Sequence, residues 1–154
     1  MEYLIVKWVH VVASALLFGT GVGSAFYLLF ASLRREPAVV AFVARWVVIA
    51  DWLFTATTMV VQPVTGLYLA RSMRLPLTSG WVWWSIVLFV VAGACWLPVI
   101  WLQMRMRDLA ADAAARGEGL PNAYWRAFRY WILLGTPALL SFIVIFYLMV
   151  AKPF

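Results

Sequence analysis

With 154 residues, 66% of them apolar and 12% charged, the chain lies far from the roughly 45–50% apolar and 25% charged make-up of soluble domains. A water-soluble globular domain is excluded on that ground. The formal charge of +6 would suit nucleic acid, but the twelve Lys and Arg are divided among short connections and form no basic stripe, so anionic lipid headgroups are the expected partner and nucleic acid is not.

Crossing about 30 Å of hydrocarbon takes roughly 20 apolar residues as helix, and four segments qualify: about Tyr3 to Ala31, Val39 to Ala70, Trp81 to Met104 and Phe128 to Ala151. They fill nearly the whole chain and predict one all-α domain over residues 1–154, an integral membrane four-helix bundle. The first segment is read as a mature helix. Its apolar stretch is far longer than the roughly 7 to 15 residues of a signal-peptide core, and Glu2 with Lys7 replaces the usual basic cluster. On a helical projection Lys7, His10, Ser14, Leu17, Gly21 and Ser24 share one sector, while Gly19 and Gly23, a G-x-x-x-G pair, fall on the opposite face.

In the second segment Asp51, Thr55, Thr58, Gln62 and Gly66 follow offsets of 4, 3, 4 and 4 and form a polar or small stripe. Such a stripe predicts an inward or water-lined surface, because polar side chains in hydrocarbon are costly. Pro63 removes a backbone donor and predicts a kink beside Gln62. The third segment places Ser85, Trp96 and Gln103 on one side and carries Pro98. Beyond it, Asp108, Asp112 and an alanine run before Gly117 and Gly119 predict a helix continuing past the membrane to the glycines. The fourth segment contributes Gly135, Pro137 and Ser141. Eight Lys or Arg flank the first and third connections and four flank the other side, which predicts cytoplasmic first and third connections and both termini outside.

The single Cys95 sits in an apolar run, and with one His and one Cys no site of several such ligands can be assembled from one chain. His10 admits an interhelical hydrogen bond, a place near the wet interface, or axial ligation of haem iron through one ring nitrogen while the other is oriented by an acceptor. In the haem reading Ser14, Gly21 and Ser24 let a flat macrocycle approach, Gln62 faces the same cavity at similar depth, and Met59 or Met149 is the candidate second ligand. Lys7 either binds a propionate or snorkels to the headgroups. Asp51, placed far deeper, is either a proton relay or a structural hydrogen-bond partner of Thr55. No Ser/His/Asp triad, phosphate loop or paired-carboxylate site is present.

The run Tyr3-Leu4-Ile5-Val6-Lys7-Trp8-Val9-His10-Val11-Val12 with Leu17-Phe18-Gly19 resembles the opening of a bacterial membrane family, domain of unknown function 2269. Gln62-Pro63-Val64-Thr65-Gly66, Gly80-Trp81-Val82-Trp83 and Met149-Val150-Ala151-Lys152-Pro153 extend the likeness over nearly the whole chain. It implies a multi-pass protein of the bacterial inner membrane. More distantly, the Lys-x-x-His opening is similar to that of the oxygen-independent protoporphyrinogen oxidases and the copper-resistance D family. The oxidase likeness implies bound haem b with His10 as the functional histidine. At the start of the third helix, Trp83-Trp84-Ser85 stands where the oxidases carry a Lys. Three functions follow as expectations: a haem-binding protein in electron transfer or porphyrin oxidation, a non-enzymatic module packing with a partner or itself, and a small-solute or metal transporter; a homodimer mate or a membrane redox partner is the expected association.

Overall fold

Backbone in hydrocarbon finds hydrogen-bond partners only in itself, so long runs of Leu, Val, Phe, Ala and Trp must be helical. The computed structural model describes residues 1–153 and meets that demand with four helices: α1 (Glu2–Arg34), α2 (Pro37–Ser72), α3 (Gly80–Arg116) and α4 (Asn122–Ala151). Each is long and apolar enough to cross a membrane, and among the described residues there is no strand. Their lengths of 30 to 37 residues correspond to about 45–55 Å at 1.5 Å per residue, well over the hydrocarbon thickness.

The ends follow from local chemistry. Arg35 turns left-handed at φ 59° and Pro37 opens α2, where its missing N–H is harmless. α3 runs past the hydrocarbon to Arg116, where Gly117 at φ 67° closes it as the glycines predicted. α4 begins at Asn122, a turn and a half before the expected Phe128, because Pro121 is extended and its carbonyl accepts the Tyr124 N–H at 2.9 Å. Pro63 and Pro98 lie inside continuous helix. The departure from α geometry in α2 falls earlier, at one π-helical turn over Asp51–Thr55, where the Ala56 N–H reaches back to the Asp51 carbonyl.

Four crossings bring the first residue, the α2–α3 connection and the end of α4 to one side, here the terminus side. The α1–α2 and α3–α4 connections lie on the other, the arginine-rich side. Leu28, Val40, Ala44, Met106, Ala110 and Tyr124 are fully enclosed in the arginine-rich half and join all four helices in one core. Ser32 donates to the Leu28 carbonyl at 2.7 Å, so its single proton is committed, and the Tyr124 hydroxyl is the donor in the 2.6 Å bond between them. In the terminus half α2 beyond Ala56 packs mainly on α1, α3 packs along α4, and α1 touches α4 lightly. Phe18 and Phe146 bridge that last gap edge to face at 5.3 Å. Trp8, Phe26, Trp46, Leu97, Leu133 and Tyr147 face outward, which hydrocarbon permits at no cost.

Candidate functional site

The polar residues gather in two places. In the terminus half, Gln62 on α2 donates from Nε2 to the His10 carbonyl of α1 at 3.0 Å. The His10 ring stands with Nδ1 2.7 Å from Thr65 Oγ1. Thr65 has one hydroxyl proton, and the Val61 carbonyl at 2.7 Å takes it in the usual backbone-directed geometry. Its oxygen therefore accepts from His10 Nδ1–H, which leaves His10 Nε2 as the nitrogen with the free lone pair. Close approach of the two helices depends on Gly66, where an added Cβ would lie 3.3 Å from His10 Cε1.

The second place is a cavity of about 300 Å³ toward the arginine-rich half, walled by all four helices and mostly apolar. α1 gives Leu17, Gly21 and Ser24; α2 gives Asp51, Thr55 and Met59; α3 gives Trp96 and Gln103; α4 gives Trp131 and Gly135. The Thr55 hydroxyl donates to Asp51 Oδ1 at 2.8 Å. Gln103 also stands beside the Asp51 carboxyl. Gln103 Oε1 and Trp96 Nε1 are both buried without a hydrogen-bond partner. Asp51 and Thr55 are the first and last residues of the π turn, and both stand on this wall.

The residues expected to share one site are therefore divided. His10 and Gln62 meet, as their depths predicted. Gly21 and Met59 lie in the cavity, which does not take in His10, and the Met59 methyl reaches across to α3, 3.0 Å from where a Cβ on Gly93 would stand. Lys7 is exposed with its ammonium 6.0 Å from the Tyr3 ring centre. Ser14 returns its hydroxyl to the Val11 carbonyl at 2.7 Å. Asp51 is buried, paired with Thr55 as one of its two readings held. Met149 is exposed on α4, and Cys95 is a half-buried free thiol. Among the described residues no three His, Cys, Asp or Glu side chains gather as a metal site.

Sequence reasoning passed over two residues. Thr65 lies next to the stripe that ends at Gly66, and its one signal was a hydroxyl within reach of the depth assigned to His10. Tyr124 sat in what was read as a connection, and nothing local marks its bond to Ser32, 92 residues away.

Over residues 4–153 the chain matches the family described as predicted integral membrane protein, domain of unknown function 2269, and it belongs to that family. No curated protein and no solved structure matches it.

Proposed function

We propose that this integral membrane protein binds a lipid-soluble small molecule in the cavity beside Asp51. One observation carries the reading: Trp96 and Gln103 line an apolar cavity, and their Nε1 and Oε1 atoms are buried with no partner in the protein. A buried polar atom left unmade costs about 1–3 kcal/mol, and a ligand that completes both bonds recovers that cost. Apolar walls with a few convergent polar groups are the usual form of a small-molecule site. In this reading Asp51 is a hydrogen-bonding wall of the site rather than a relay, and the protein works as a binding module or carrier. The test is mass spectrometry of the organic extract of protein purified from membranes, beside Gly21→Leu and Gly135→Leu. Both glycines line the cavity and an added Cβ at either meets nothing within 4 Å, so a leucine there is expected to take up cavity space. The wild type should carry one species in molar amount and the variants should lose it. A wild type with no stoichiometric extractable molecule and no saturable uptake overturns the reading.

The second reading is haem b held through His10, in electron transfer or porphyrin oxidation. It is supported by the Thr65 contact, which orients the imidazole and leaves Nε2 free to ligate. The imidazole suits an iron, but the ring lies against Gly66, and the cavity is lined from Leu17 inward, takes in Met59 and does not include His10. Haem would require the α1–α2 pair to part from α3–α4. Oxidised and dithionite-reduced spectra of wild type and His10→Ala, expressed with haem precursor, decide it: a Soret band lost in the variant supports haem, and a colourless wild type removes it.

The expected setting is the bacterial inner membrane with both termini outside, on the eight-to-four count of Lys and Arg. A homodimer or membrane redox partner would find the Gly19 and Gly23 face open, since a Cβ at either position meets nothing within 4 Å.

A further inference from the structure

Given the proposed cavity site, on which this step rests, the geometry points to a quinol as its ligand: a flat hydroxyaromatic ring carrying an apolar tail. The route of entry narrows the class first. Phe26 on α1 and Ile132 on α4 line the cavity and are also 55% and 41% exposed on the outer surface, so the site opens sideways between those helices into lipid. The arginine-rich end is shut by the close-packed core and the Tyr124–Ser32 bond. The terminus end is narrowed by the Phe18–Phe146 contact. A ligand that arrives this way partitions into the bilayer before it binds.

Shape narrows it further. Gly21 and Gly135 give the α1 and α4 walls bare backbone, with nothing within 4 Å of an added Cβ at either. Walls without side chains suit a flat face.

The head follows from donor and acceptor chemistry. Trp96 Nε1 can only donate and Gln103 Oε1 can only accept. The two residues are seven apart on α3, hence on one face and about 10 Å apart along the axis. A ligand that satisfies both must accept at one end and donate at the other. A long-chain alcohol or fatty acid concentrates its polar atoms at one end and reaches one partner. A quinone carries oxygens on opposite edges of its ring, yet both accept, so Gln103 Oε1 stays unmet. A quinol has hydroxyls on opposite edges, and each can donate or accept.

The experiment uses the full chain in nanodiscs of synthetic phosphatidylglycerol and phosphatidylcholine, anaerobic and with reductant where the quinol is present. Decyl-hydroquinone, decyl-benzoquinone and decanol are titrated by equilibrium dialysis against wild type, Gln103→Leu, Trp96→Phe and Gly135→Leu, with circular dichroism and gel filtration confirming that each variant is folded. The hydroquinone should bind roughly tenfold tighter than the quinone, as one recovered buried hydrogen bond allows. Gln103→Leu should bring the two within about twofold, Trp96→Phe should weaken both, and Gly135→Leu should exclude all three. If all three probes bind alike and Gly135→Leu excludes them, the quinol assignment is overturned while the cavity reading stands. If no probe saturates and only phospholipid co-purifies, a lipid acyl chain is the occupant and the quinol is overturned again. No binding and no co-purifying molecule overturns both.

Discussion

In the arginine-rich half Leu28, Val40, Met106 and Tyr124 are enclosed from every side and bind four helices into one core. In the terminus half the helices associate as two pairs, and the α1–α2 pair is held by the His10, Gln62 and Thr65 hydrogen bonds across a glycine contact. Lipid tails are as apolar as leucine, so neither half gains from hiding apolar surface, and packing and polar contacts must hold both. The contrast shows where each kind of contact is used: dense packing fixes the half beneath the cavity, and a few directional bonds hold the half above it. Dense packing resists change of volume, whereas directional bonds between paired helices cost little to break and re-form.

The largest way to break this contrast is Leu28→Ala, which removes a fully buried side chain from the core and should cost about 2–5 kcal/mol, read by denaturant titration in nanodiscs. Next is Gly66→Leu, where the new side chain must displace the His10 ring from 3.3 Å. It should cost about 1–3 kcal/mol, lose the Thr65 bond and shift the His10 imidazole resonances. Tyr124→Phe deletes one buried hydrogen bond while Ser32 keeps its own to Leu28, so a loss near 1 kcal/mol is expected by the same titration. Gln62→Leu should be the mildest, about 0.6 kcal/mol, in line with interhelical bonds in membranes. Amide exchange would sharpen the comparison: α2 beyond Ala56 should exchange faster than its first half, and a uniform profile would mean that the two halves are one cooperative unit.

Much of this was legible in the residues. The four crossings follow from runs of apolar length, and the end of α3 follows from Gly117, since both signals are local. The α2 stripe was legible because a period near 3.6 survives in any helix, and Asp51, Thr55, Thr58 and Gln62 are all buried as it implied. Trp96 and Gln103 were placed on one face of the third helix by the same rule. What the pattern could not tell is which neighbour each part of a face would meet. Periodicity orients a residue about its own axis and is silent on where the other helices stand, so Thr65 went unnoticed and Met59 and Gly21 were grouped with a histidine they do not approach. Lys7 was open between two readings because a long side chain near a helix end can turn either way.

The π turn at Asp51–Thr55 has one more consequence. Wound as regular α-helix, the offsets of 4, 3, 4 and 4 would aim Asp51 and Gln62 in nearly the same direction. The turn holds one extra residue, which amounts to about 100° of helical phase. It therefore works like a splice in a rope, letting one strand of sequence present its polar side to the cavity on one stretch and to α1 on the next. Rewinding Asp51–Thr55 as regular α-helix with every residue kept would turn the two polar centres by about 100° relative to each other, whereas deleting the one extra residue would keep their phase.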